Sequence, residues 1–574
     1  MKSLKYIALI AGLVFLAGCE DFLDTDNLTK KDTSNFPSSQ TDAEQMITGI
    51  YSVLNSDLAN PEQDPFFVFE LAGDDRLGGG STSNKGAQGL DRLMNSYTSN
   101  FKDMWSNRYS GIFRANSAIA SIDNVTNWTD NSEKNKLLGE AYFLRAYFYY
   151  DLVTVFGQVP LVLTTEAVNL PKSSADEIYA QITSDLTTAI SLFPSTKYPD
   201  YGEGHASKWA AEALLARVFL FYTGFYGKTA LPTVDGNAVN KSTVISNLED
   251  CIANSGHGLI SDQRNLWPYT NPYTAKNYQY DIDNNLTWAT DENKEVIFSL
   301  KMSNNSTSNE VYFNRIVEYF NPRKTTVGAF PFSVQGYSNG PVSLKLWTDW
   351  AADPDYAGDY RRLGSICSRA VELPKYVGDK SKEVENTGLL AKKYLGCGAY
   401  DTDGSLRNSY AYFYGGQDNR QLGLTQAIIY IRYADVLLMH SELTDGKVII
   451  DGMSGMNKVR QRANLPAITY SLEALKKERR YELCFEGLRW NDLRRWGDVQ
   501  KIVDNQTGQA ILNRGKADVF QFDPNFPFMK RYKETGGGFW KIPESQITLS
   551  NGVLEQNEGW ENTYDWVKLP YSTI

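Results

Sequence analysis

Three stretches of this sequence gather flat aromatic rings beside amides and carboxylates, a combination suited to a polyhydroxylated ligand. Residues 73–91 place Asp74, Asp75, Asn84 and Gln88 around a glycine-rich run, Gly78-Gly79-Gly80. Residues 267–288 run from Trp267 to Trp288 through Tyr269, Tyr273, Tyr278 and Tyr280. Residues 319–337 hold Tyr319, Phe330, Phe332 and Tyr337. A ring offers an apolar platform for a pyranose face, and amides and carboxylates bond its hydroxyls. The candidate ligand residues are therefore Asp74, Asp75, Asn84, Gln88, Trp267, Tyr273, Tyr278, Trp288, Tyr319, Phe332 and Tyr337. For any single ring, packing in the core is the competing expectation.

Other chemistries fare less well. Asp281, Asp283, Asn285 and Glu292 fall at positions 1, 3, 5 and 12 of a calcium loop, but Leu286 stands where the turn wants glycine. A solvated polar loop is the favoured reading, and structural calcium is the one cofactor the spacing would allow. His205, His257 and His440 are far apart and mark neither a zinc site nor a triad. The run at Gly78 lacks the lysine and hydroxyl of a phosphate loop. Between Glu478 and Asp498, five arginines stand against five carboxylates, which predicts ion pairs between helices, many at helical spacing, rather than a basic patch.

Cys19 carries a different chemistry. Lys2 and Lys5 precede an apolar run that ends in Leu16-Ala17-Gly18-Cys19. This is a secretory signal peptide over residues 1–18, with a cysteine placed for lipidation. Acyl chains there would hold the chain to a membrane at about 0.8 kcal/mol per buried CH₂. Loss of residues 1–18 removes both lysines and moves the net charge from −11 to −13. So acidic a body argues against nucleic acid. No later stretch reaches the length of an apolar membrane span. Cys251, Cys367, Cys397 and Cys484 follow no metal-ligand spacing; Cys367 and Cys397 are open to either a bridge or free thiols.

The elements that must position these residues are mainly helical. Residues 19–39 are a polar tether. Thr41 and Glu44 form a capping box ahead of a helix through Leu54. Residues 73–91 read as one long loop, and helix returns over 101–122 and 137–156. A second box, Ser174 with Glu177, opens a helix to Phe193, and helices follow over 209–225 and 244–252. Such pairs over about 34 residues suggest tetratricopeptide-like hairpins. Residues 263–414 are rich in Asn, Gly, Ser and aromatics and read as ordered loops, with a strand-like piece ending at Leu300. Helices resume over 425–442, 452–463 and 472–496. The body, 40–574, thus divides into a helical part (about 40–262), a loop-rich part (about 263–414) and a C-terminal helical part (about 415–574).

Several blocks in this order resemble the SusD/RagB family of outer-membrane nutrient-binding lipoproteins. They begin with Cys19-Glu20-Asp21-Phe22-Leu23-Asp24 and Phe113-Arg114-Ala115-Asn116. Leu144-Arg145-Ala146-Tyr147-Phe148-Tyr149-Tyr150-Asp151-Leu152-Val153 with Phe156-Gly157-Gln158-Val159-Pro160 is a close match. Ile431-Arg432-Tyr433-Ala434-Asp435, Glu478-Arg479-Arg480-Tyr481-Glu482 and Gly487-Leu488-Arg489-Trp490-Asn491-Asp492 follow, and Gln556-Asn557-Glu558-Gly559-Trp560 fits the tail. The resemblance implies a mainly α fold, a tetratricopeptide-like scaffold with an irregular, loop-rich binding half. It implies a non-catalytic glycan-binding lipoprotein on the outer face of the outer membrane, a lid for a SusC-like TonB-dependent transporter. In the family a loop near residues 73–91 walls the glycan site, though this chain lacks the tryptophan that some relatives carry there. A surface glycoside hydrolase, or a structural lid that binds peptide or another nutrient, is the alternative. The sequence names no particular sugar.

Overall fold

The computed structural model describes residues 36–94, 101–202, 204–302, 314–323, 327–414 and 424–560. The signal segment, Cys19 and the tether up to residue 35 lie outside the described residues. Helices dominate, and the strands form only two-stranded sheets.

The first helix, α1 (Gln40–Tyr51), is capped by Ser39, whose Oγ accepts from the Asp42 amide at 3.2 Å. The expected box at Thr41 is therefore displaced by two residues, because a serine upstream takes the capping role. Next come α2 (Pro65–Ala72), entered through a proline at its first position, and α3 (Lys85–Asp91). The second half of the expected long loop 73–91 is thus helical, and only residues 73–84 are loop.

The helical scaffold follows. It comprises α4 (Lys102–Ser121), α5 (Asn131–Phe156), α6 (Ala175–Leu192), α7 (Lys208–Tyr226) and α8 (Lys241–Asn254). Each packs on its sequence neighbour, giving the layered helical hairpins expected. Helix α5 starts at Asn131, earlier than its apolar periodicity, since Asp130 caps it by accepting from Ser132 N at 2.9 Å. Helix α6 has the predicted box, with Ser174 and Glu177 bonding each other's backbone. Helices α4 and α5 approach closely at Gly111, where a Cβ would lie 2.4 Å from the Phe148 ring.

The two halves meet at a small antiparallel sheet, β1 (Val296–Leu300) against β2 (Ile428–Arg432). Residues 428–432 were expected to start a helix. The Ile428-Ile429-Tyr430-Ile431 run favours strand instead once β1 offers a partner. Helix follows only from α10 (Tyr433–Leu443), after α9 (Arg315–Phe320) in the loop-rich half, and then α11 (Gly455–Arg462). The expected helix 472–496 is two helices, α12 (Leu472–Leu483) and α13 (Arg489–Trp496). Between them Phe485 and Gly487 take left-handed backbone, φ +66° and +73°, which ends one helix and turns the chain.

The arginine-rich block lies in this seam, and its ion pairs mostly cross between elements. Arg480 meets Asp75 at 2.7 Å, Arg489 meets Asp74 at 2.6 Å, Arg479 meets Asp435 at 2.7 Å and Arg495 meets Glu442 at 2.5 Å. Arg495 with Asp492 at 2.8 Å is the pair at helical spacing. Glu482 on α12 receives Arg361, Arg432 and Arg462, and Glu482, Arg361 and Arg432 are buried. Arg494 instead lies among the rings of Phe221, Phe225, Trp490 and Phe539.

Candidate functional site

The loop 73–84 is shaped by its glycines and laced to α3. A Cβ on Gly78 would sit 2.5 Å from Gln88 Cα, and Gly79 and Gly80 have φ of +64° and +80°. Gln88 Nε2 donates to the Gly79 and Ser81 carbonyls at 2.9 and 2.8 Å. Gln88 is fully buried by this, so it builds the loop and does not face a ligand. The loop also pairs with the chain near residue 340, through bridges Arg76 to Val342 and Gly79 to Asn339.

This lacing presents Asn84 next to Tyr337. Asn84 Oδ1 accepts from Ser81 N, Ser81 Oγ and Arg323 Nη2, the last at 2.9 Å. With Oδ1 so occupied, Nδ2 has no protein acceptor among the described residues. Arg323 Nη2 also donates to the Tyr337 carbonyl at 2.9 Å, and its guanidinium lies 5.7 Å from the Tyr337 ring centre. Tyr337 meets Tyr319 edge to face at 5.2 Å, and both rings are half-buried. Burial raises both phenol pKa values, with Glu318 adding to the effect at Tyr337 and Glu62 at Tyr319. Both hydroxyls therefore stay protonated at neutral pH. Asn84 from the first stretch and Tyr319 and Tyr337 from the third thus share one surface.

Arg323 was missed in the sequence. It is the one arginine between two rings of the third stretch, in Tyr319-Phe320-Asn321-Pro322-Arg323. Only the fold reveals that it reaches Asn84, which lies far away in sequence.

Several expected ligand residues are structural. Asp74 is fully buried, bonded to Arg489 at 2.6 Å and to Asn505 Nδ2 at 2.6 Å. Burial would raise its carboxyl, but Arg480 and Arg489 overcome this and hold it well below the usual carboxylate range. Asp75 is buried against Arg480. Trp267 is fully buried, edge-on to Tyr394 at 5.6 Å. Tyr278 is buried with its hydroxyl donating to Glu372, and Phe332 is buried against Tyr278 and Tyr269. Trp288 is buried edge-on to Phe413 at 5.0 Å. These rings are core, because the loop-rich half has long helix-poor segments and needs large side chains to fill it.

Among the candidate ligand residues of the second stretch, Tyr273 is the half-buried exception. It stacks on Tyr412 at 4.9 Å and meets Phe413 edge-on at 4.9 Å. The run Tyr410-Ala411-Tyr412-Phe413-Tyr414 was the sequence signal for these partners.

The residues at calcium-loop spacing do not form one open loop. Residues Gln279–Asn284 form a helical turn, which buries Asp281 and leaves Asp283 and Asn285 exposed. Glu292 pairs with Lys301 at 2.5 Å. The four oxygens do not converge, and no cluster of metal-ligating side chains occurs among the described residues. Burial pushes the Asp281 carboxyl up to about 8, despite Lys392 and Arg264 nearby. Cys367 and Cys397 are free and buried, not bridged.

Two family models match the chain. One, described as starch-binding associating with outer membrane, covers residues 21–220, and the SusD family model covers residues 380–560. The chain belongs to the SusD family. It is 25% identical to SusD-like protein P2 of Formosa agariphila over 98% of this chain and 100% of that one. SusD-like protein P25 of the same organism is 23% identical over 88% of this chain and 92% of its own length. Among solved structures, a laminarin binding SusD-like protein superposes with a TM-score of 0.67 at 24% identity, covering 91% of this chain and 100% of that one. Surface glycan-binding protein A from Bacteroides thetaiotaomicron, in complex with laminarihexaose, gives 0.68 at 18% identity with the same coverage. These likenesses establish the SusD-like helical fold. Among the described residues no helix is long and apolar enough to cross a membrane.

Proposed function

We propose that this SusD-family chain binds a glycan through the surface formed by Asn84, Arg323, Tyr319 and Tyr337, and passes it to a partner transporter of the SusC type. One observation carries the reading. Two donors without protein acceptors among the described residues, Asn84 Nδ2 and Arg323 Nη1, flank a half-exposed tyrosine ring, and they come from segments over 200 residues apart. Such a set offers an apolar face and directed hydrogen bonds together, as a sugar ring requires. The named ligands of the structural relatives, laminarin and laminarihexaose, support the same class.

Two of the carboxylates beside this surface are already engaged. Glu318 takes Arg315 at 2.8 Å, while Glu383 takes Arg369 at 3.1 Å and Asn386 at 2.6 Å. They form no acid and nucleophile pair poised across an open gap, which supports holding a glycan rather than cleaving it. Lipidation at Cys19 would keep the body at the outer membrane, where the transporter lies.

The test is titration calorimetry with laminarin and with soluble starch. Tyr337→Ala should weaken binding of whichever is bound by about tenfold, the size expected for one lost stacking ring with its contacts. It should leave the melting temperature within a few degrees. Unchanged affinity in Tyr337→Ala would remove this surface from the function, and new reducing ends after incubation would favour the hydrolase.

A further inference from the structure

A groove of about 300 Å³ adjoins this surface, lined by Arg369, Leu373, Tyr376, Lys380, Glu383 and Asn386. The two are continuous. The Tyr376 hydroxyl donates to the Arg323 carbonyl at 2.5 Å, and Ser338 Oγ accepts from Arg323 N at 2.7 Å and faces Glu383 at 3.4 Å.

The charge along this path is positive on an acidic protein. Arg323 forms no ion pair among the described residues, and its Nε is buried without an acceptor. Arg361 and Arg432, both buried, each meet three carboxylates, while Arg494, also buried, meets rings and carbonyls instead. Lys380 is exposed on the groove wall and forms no ion pair among the described residues. Segment 369–383 carries Arg369, Lys375, Lys380 and Lys382 against Glu372, Asp379 and Glu383. Two of these carboxylates are spent inward, Glu372 on Lys392 at 2.7 Å and Glu383, itself buried, on Arg369 and Asn386. Arg514 joins the group through its amide, which donates to the Glu383 carbonyl at 2.7 Å.

A neutral sugar has no use for such an excess. A guanidinium that forms no ion pair among the described residues, with Glu383 and Asp379 as its electrostatic neighbours, and an exposed ammonium on the adjoining groove offer donors for a planar carboxylate or a sulfate, for which charge-assisted bonds are about twice as strong as neutral ones. We propose that this groove binds the anionic group of an acidic glycan, a uronate carboxylate or a sulfate ester, on the same chain whose sugar ring rests on Tyr337. The proposal builds on the glycan-binding reading above and names the class of glycan.

The experiment titrates the full chain with four probes: laminarin, polygalacturonate, the same polygalacturonate methyl-esterified, and dextran sulfate. Polygalacturonate or dextran sulfate should bind about tenfold or more above laminarin, the gain expected for one charge-assisted contact. Which of the two binds identifies carboxylate or sulfate. Esterification should erase the gain, and rising salt should weaken the acidic probes alone. Lys380→Gln should lower acidic-probe affinity several-fold, about one charge contact, and leave laminarin unchanged, whereas Arg323→Gln should weaken the acidic probes more than laminarin, which loses one neutral donor with it. Lys380 is exposed, so its variant keeps the fold. Laminarin binding equal to or above both acidic probes, with Lys380→Gln silent, overturns this inference and leaves the glycan-binding reading intact. Tight acidic binding unaffected by either variant also overturns it, since the charge would then act elsewhere. No binding of any probe counts against both.

Discussion

At the residue scale, side chains of nearly the same shape serve opposite ends, and burial decides which. Asp74 and Asn84 are ten residues apart on one loop. Asp74 is sealed against Arg489 and Asn505, while the Asn84 amide nitrogen has no acceptor among the described residues. Sequence could nominate both but not separate them, because the deciding partners lie some 240 and 415 residues away. Glu482 gives the sharpest energetic expectation. Burial would raise its carboxyl, but Arg462, Arg432 and Arg361 hold it well below its usual value. Glu482→Gln would take one carboxylate from three guanidiniums that each keep another, Arg361 with Asp359 and Glu478, Arg432 with Glu295 and Glu486, and Arg462 with Glu295, so it should cost about 1.5–3 kcal/mol, read as a fall in the urea midpoint. The sign with pH follows from the depressed carboxyl. Its stabilisation is full above the unfolded value, about 4.3, and is lost as pH falls below that toward the folded value. The gap between wild type and Glu482→Gln should therefore be widest at pH 6–7 and shrink as the pH falls below about 4. A constant gap across that window would deny Glu482 its charged role.

At the element scale, helices with local signals were legible and breaks set by distant partners were not. The Ser174 box was readable because both of its bonds lie within four residues. The turn between α12 and α13 was not, since Gly487 N donates to Glu70, over 400 residues earlier. Strand β2 likewise depends on β1, more than 120 residues away. The loop 73–84 offers a test of positioning by an element. Gly78→Ala would drive a Cβ into the α3 backbone at Gln88. Overpacking of this kind costs about 1–3 kcal/mol and would move Asn84 away from Tyr337. The expected result is weaker glycan binding in Gly78→Ala with a modestly lowered melting temperature. Full affinity would show that the loop does not set the site.

At the scale of the whole molecule, the order of the motif blocks made the fold and family legible, since both depend on the seam those blocks build. The ligand surface was half legible: its rings and Asn84 were within the nominated stretches, while Arg323 and the basic groove emerged only from the folded chain. The anchor is tested on the whole chain as well. Cys19→Ala should move the protein from the membrane pellet to the soluble fraction while glycan binding persists; a variant still in the pellet without its transporter would refute lipid anchoring. The four buried, unbridged cysteines have one more consequence. Burial raises every one of these thiols, Cys484 to about 12. A thiol reagent can label each only when its surroundings open. Cys251 on α8 would then time the opening of the helical scaffold, Cys367 and Cys397 the loop-rich half, and Cys484 the seam. In the Cys19→Ala chain these are the four thiols present, and their relative labelling rates would reveal whether the scaffold and the binding half breathe together or one at a time.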